Sequence, residues 1–152
     1  MPTFRTACLS VLALIAAGCA SVPGLEQRYA VCSYDTLWDA TVEALKDRPV
    51  TVKDKQRGVI ETGWLEVPVS GRQYGAFRRE MKDAKDRTKL VVTVKRLDDV
   101  TKVSLAETRE SWGFRGGSRL FGWQPAEPSE EEMAAVMRRL SAKLKDKGCS
   151  LT

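Results

Sequence analysis

The chain has 152 residues, 25 Lys or Arg against 20 Asp or Glu, a net charge of +5 and no histidine. Its apolar share of 43 % is ordinary for a folded domain and excludes wholesale disorder. The missing histidine removes the commonest general base and the commonest metal ligand together, while the positive charge suits anionic headgroups, cell-wall polymers or an acidic partner.

The amino terminus carries one charge, Arg5, followed by an apolar run from Ala7 through Ala17. That run is shorter than the roughly 20 residues that span a bilayer and matches the apolar centre of an export signal. It closes on Leu14-Ile15-Ala16-Ala17-Gly18-Cys19. Small residues before a cysteine let an extended chain enter a peptidase cleft and leave the thiol open to alkylation by a diacylglycerol. The junction resembles a bacterial lipobox, with Ala16 where that pattern more often has Leu. The expected organisation is a signal peptide over 1–18, a tether over 19–31 lipidated at Cys19, and one domain over 32–152. The competing reading is an ordinary secretory signal cut near Ala17, with Cys19 a free thiol. Without residues 1–18 about 130 residues remain, enough for one core, and the net charge falls to about +4. Resemblance to lipoproteins implies an outer-membrane anchor, because Ala20 and not Asp follows the cysteine, with the domain facing the periplasm. Export argues against nucleic acid as a partner.

Residues 20–31 contain Pro23 and Gly24 and no periodicity, which fits a tether. Ser33 reads as a helix N-cap. Leu37, Trp38, Thr41, Val42 and Leu45 follow at helical spacing, and Pro49 ends the helix near Arg48. Val50–Val52 is a short strand and Lys55–Gly58 a turn. Val59–Val69 reads as one extended segment with Ile60, Thr62 and Trp64 on one face. Residues 70–87 are charged and unpatterned, a loop with a helical turn around Phe77–Lys85. Leu90–Val94 alternates as a strand, Asp98-Asp99 suits a hairpin turn, and Val100–Glu110 is the next strand with Val103 and Leu105 inward. The glycines of 111–128 argue against regular structure. Ser129 opens a capping box with Glu132. Met133, Val136, Met137, Leu140 and Leu144 then mark an amphipathic helix, closed by lysines and Gly148.

Cys8 leaves with the export signal, so Cys32 and Cys149 form the remaining pair. They flank the first and last predicted helices, and an oxidising compartment makes a disulfide the default. Closing a loop of that length contributes about 4–5 kcal/mol in the chain-entropy account. A redox pair is the alternative, although no Cys-x-x-Cys is present. The order helix, hairpin-connected strands, helix predicts an α+β fold, two helices packed on one face of an antiparallel sheet.

Tyr34–Thr41, Val50–Val52 and Gly58–Trp64 together resemble lipoprotein domains of the helix-grip type, in particular the repeated domain of BamC-type accessory lipoproteins of the outer-membrane β-barrel assembly machine. The resemblance follows the pattern of residues 33–147 and implies a helix-grip two-layer sandwich. That family has two such domains and a long arm that contacts a partner. This chain has one domain and a short tether, so the fold is carried over and no binding residue is.

No Gly-x-Ser-x-Gly, zinc spacing or phosphate-cradling loop appears. Asp98-Asp99 belongs to a turn, and Glu130–Glu132 suits a helix dipole. The chain therefore reads as non-enzymatic, with no catalytic residue, metal or cofactor expected. The expected function is an interaction or scaffolding module, held at the membrane by its anchor and accessory to an envelope protein complex. A carrier of an apolar molecule, bound in a cavity lined by Trp38, Trp64 and Met137, is the alternative; a link to the cell wall is a third reading. The candidate surface is Trp112, Phe114, Arg115, Arg119, Phe121 and Trp123, since aromatics and Arg dominate interface hot spots and also suit a membrane interface. Its structural alternative is a lid folded inward over the core. The charged stretch Arg72, Arg78, Arg79, Lys82, Lys85, Arg87 and Lys89 is a second candidate surface; because Glu80, Asp83 and Asp86 alternate with it, it reads first as a solvated face, and Trp38 and Trp64 read as core.

Overall fold

The structure, a computed structural model, describes residues 22–116 and 121–152. The expected export signal, the lipidation site Cys19 and Arg119 lie outside the described residues. Among the described residues the order is β1 (Leu25–Ala30), α1 (Tyr34–Ala44), β2 (Val50–Asp54), β3 (Val59–Thr62), β4 (Leu65–Pro68), β5 (Gln73–Tyr74), β6 (Arg79–Glu80), β7 (Lys85–Leu97), β8 (Val100–Phe114), β9 (Phe121–Ala126) and α2 (Glu130–Asp146). The fold is α+β, with two helices on a large antiparallel sheet ordered β1-β8-β7-β3-β2.

Strands β7 and β8 form the spine. The two-residue turn Asp98-Asp99 joins them, with Asp98 at φ 43°, a left-handed conformation that Asp tolerates. Being longer than the helix-covered sheet, each spine strand carries two partners end to end on its outer edge. β8 pairs with β1 over Thr101–Ala106 and with β9 over Arg109–Phe114. β7 pairs with β3 over Val91–Thr93 and with β4 over Lys85–Thr88. One half of the sheet therefore lies under the helices, and the other, made of β4, β7, β8 and β9, extends as an arm.

The core lies between helices and sheet. Leu37, Trp38 and Leu45 of α1 and its cap meet Met137, Leu140 and Leu144 of α2 over Leu90, Val92, Val103 and Leu105. Full burial of each such side chain contributes about 1.5–3 kcal/mol. Ser33 caps α1 by accepting from Thr36 N–H at 3.1 Å. α1 ends at Ala44, earlier than Pro49 suggests, and beyond it Arg48 turns inward, where its guanidinium pairs with Glu132 and donates to Thr88 at 3.1 Å. Glu132 is thus engaged elsewhere, and the expected capping box is half-formed. Ser129 Oγ accepts from Glu132 N–H at 3.2 Å, but Ser129 N–H donates to Glu107 of β8 at 2.6 Å.

Four further expectations need correction. Residues 25–30, read as tether, form the edge strand β1, so the folded domain begins before residue 32. Most of its side chains are polar or exposed, which hides an edge strand from pattern reading. Residues 70–87 contain no helical turn; they hold the β5–β6 hairpin and the start of β7. The glycine-rich 111–128 continues β8 and forms β9, because Gly113 and Gly122 face each other across the ladder and leave room for Gln124 and Arg115. Finally, Trp64 is not core. Glu61 pairs with Val91 and Leu65 with Thr88, so one extra residue is inserted between β3 and β4. Such a bulge reverses the alternation, placing Trp64 away from the helices and 37 % exposed while Ile60 and Thr62 stay buried.

Candidate functional site

Opposed residues share a face, so the register of the arm sorts its side chains. Asp86, Thr88, Arg109 and Ser111 share the face of Leu90 and Leu105, toward the helices. Arg87, Glu110, Trp112, Phe114, Trp123 and Phe121 share the opposite face. The two sides have different chemistry.

On the helix side lies a buried ion cluster. Asp86 accepts from Arg72 at 2.7 Å and from Arg109 at 2.7 Å. Burial alone would raise the Asp86 carboxyl, but the two guanidiniums outweigh it and hold it below its usual range. Arg72 also donates to the carbonyls of Lys85 and Trp112, both at 3.2 Å, so it fastens the chain ahead of β5 to the spine. Toward the helices, burial and the nearby Glu132 raise Glu107 above the ordinary carboxyl value, opposed by the Ser129 N–H it accepts. This cluster holds the arm in place.

The opposite face is an aromatic and basic ladder. Arg87 lies between the rings of Trp64 and Trp123, 4.3 Å from each, and donates to Glu110 at 2.6 Å. Lys85 lies 5.3 Å from Trp123 and pairs with Glu66 at 2.6 Å. Trp112 and Trp123 meet edge to face at 5.4 Å, and Phe114 and Phe121 at 5.8 Å. Tyr74 of β5 extends the row, 5.4 Å from Phe121. Such stacking holds the rings without covering them. Phe114 remains 43 % exposed and Phe121 37 %. Two open clefts flank the row; one, of about 410 Å³, is bounded by Tyr74, Met81, Lys82, Trp112 and Phe121.

Of the predicted surface, the structure brings together Trp112, Phe114, Phe121 and Trp123, with Arg115 laid across Gly122 at the tip; Arg119 is outside the described residues. The aromatics are not a lid over the core, since they face away from it. Sequence reasoning placed Trp64 in the core, read Lys85 and Arg87 within a separate charged stretch, and missed Tyr74. The signal available for Arg87 was its place three residues before Leu90 in a strand, on the opposite face by alternation.

Cys32 and Cys149 lie together against the core, both as thiols. Burial first, and the hydrogen bond with Cys149 second, push the Cys32 thiol up to about 12. Beside them β1 is tied to the last residues of the chain, where Tyr29 and Thr152 exchange two backbone hydrogen bonds of 2.8 Å.

Between helices and sheet, the space lined by Thr41, Val92 and Met137 amounts to about 10 Å³, room for one water at most. A larger depression of about 450 Å³ lies by Tyr34, Lys55–Gly58 and Val94–Arg96, away from the arm. Among the described residues no helix is long and apolar enough to cross a membrane. No protein-family model matches the chain, and no curated protein matches it.

Proposed function

We propose that this chain is a non-enzymatic envelope lipoprotein, anchored to the outer membrane through Cys19 and facing the periplasm, and that its domain is an interaction module. The contact surface is the exposed face of the arm. One observation carries this reading: the core closes without Trp64, Trp112, Trp123, Phe114 and Phe121, which instead form a row on the face opposite the helices. Large aromatics held in place and left half-exposed are the side chains most often found at contact hot spots. The resemblance to BamC-type domains suggests an accessory place beside envelope assembly machinery.

Two experiments test the reading. Cys19→Ser moves the protein from the membrane to the soluble fraction; unchanged fractionation rejects the anchor. A cross-linked pull-down from the native envelope, analysed for proteins and lipids, recovers a defined partner from the wild type and loses it in Trp112→Ala and Trp123→Ala. A single apolar small molecule with no other partner would instead make the protein a carrier.

A further inference from the structure

We infer that the arm docks on an anionic lipid surface, with its aromatic face lying on the headgroups. This inference deepens the contact-module reading and rests on it. Three observations point to lipid.

The first is charge. Residues 65–87 and 109–116 hold eight basic and five acidic side chains, so +3 of the chain's net +5 belongs to the arm and its β5–β6 hairpin. Arg72 and Arg109 are consumed by Asp86, Arg87 by Glu110 and Lys85 by Glu66. Arg78, Arg79, Lys82 and Arg115 are left without a carboxylate partner among the described residues. Free cations at one end of a domain are attracted to an anionic leaflet within a Debye length.

The second is the chemistry of the row. Trp and Tyr favour headgroup depth, where the ring is apolar and its edge polar. Phe114 and Phe121 at the tip supply purely apolar area. Phe77 stands 87 % exposed on the β5–β6 hairpin, between Ala76 and the cations Arg78 and Arg79.

The third is reach. The chain enters the domain at the root of the arm, where Gly24 C=O accepts from Glu107 N–H at 2.9 Å. Five residues, Ala20–Gly24, separate that point from Cys19 and span at most about 18 Å. From Glu107 to Phe114 the arm extends about 24 Å. With its tip toward the membrane that holds the lipid, an arm longer than the tether cannot stand upright. It lies inclined, which brings a face of the arm, and not only its tip, against the surface.

The test uses the mature chain from residue 19 carrying Cys19→Ser, so that no lipid anchor contributes, and vesicles of phosphatidylcholine with or without phosphatidylglycerol. The expected result is salt-sensitive binding to the anionic vesicles only. Arg79→Glu, at the free cation paired with Tyr74 across β5 and β6 and so on the face of the row, weakens it roughly 25-fold, at about fivefold per unit of charge. Phe114→Ala with Phe121→Ala also weakens it, while Arg138→Glu, an equal charge change on exposed α2, leaves the arm's contribution intact. Thermal melts matched to wild type verify that the variants fold. Absent binding, equal binding to neutral vesicles, or equal loss with Arg138→Glu overturns the lipid assignment. If vesicles are not bound but the envelope pull-down still returns a protein lost in Trp112→Ala, the contact module stands and its partner is that protein.

Discussion

Asp86 is the residue on which the arm's geometry depends most. It is 4 % exposed and answers two guanidiniums, so Asp86→Asn leaves both without a counter-charge and costs on the order of 2–3 kcal/mol at neutral pH. A carboxyl whose folded value is depressed stabilises the fold above the pH at which the unfolded chain's carboxyl ionises, and that contribution is lost as pH falls through the folded value. Denaturation measured from pH 7 downward therefore gives a gap between wild type and variant that closes in acid; a constant gap contradicts the ion cluster. The two tryptophans separate in the same kind of measurement. Trp38, 2 % exposed, loses about 3–5 kcal/mol on Trp38→Ala. Trp64→Ala loses about 1 kcal/mol, its stacking with Arg87. Equal losses would return Trp64 to the core. The adjacent thiols of Cys32 and Cys149 are placed to form a bridge in an oxidising compartment. On that proposal Cys32→Ser lowers the melting temperature by several degrees or more, and two titratable thiols in the unreduced protein reject it.

At the scale of elements, what the sequence makes legible follows burial. Both helices stand out because their apolar stripes are continuous and Ser33 and Ser129 cap them. The centres of β7 and β8 stand out because every second residue is inside. The failures occur where structure is built without such a stripe. β1 is a polar edge, and the β5–β6 hairpin is short and solvated. β9 is read as loop because glycine usually breaks a strand, whereas here Gly113 and Gly122 clear a path for neighbouring side chains. Trp64 is misplaced by a single inserted residue, which period-two reading cannot detect. The aromatic residues of 112–123 are legible as a candidate surface, but their partners Arg87, Lys85 and Tyr74 come from distant strands and join them only through the register.

At the scale of the molecule, the two halves of the sheet divide the work. The half under α1 and α2 supplies the hydrophobic core that makes the domain fold. The arm contributes little to that core and carries most of the net charge, the stacked aromatics and the root where the tether enters. On the proposed lipidation of Cys19, anchor and arm leave the domain at the same place, and the short tether keeps the contact surface near the membrane. The most direct test of this division is site-specific photo-cross-linking in intact cells, with a photoreactive residue placed at Phe121 on the arm or at Arg138 on α2. The account predicts abundant, defined adducts from position 121 and few from position 138. Equal yields from both positions, or adducts confined to 138, would contradict it and move the contact surface to the helices.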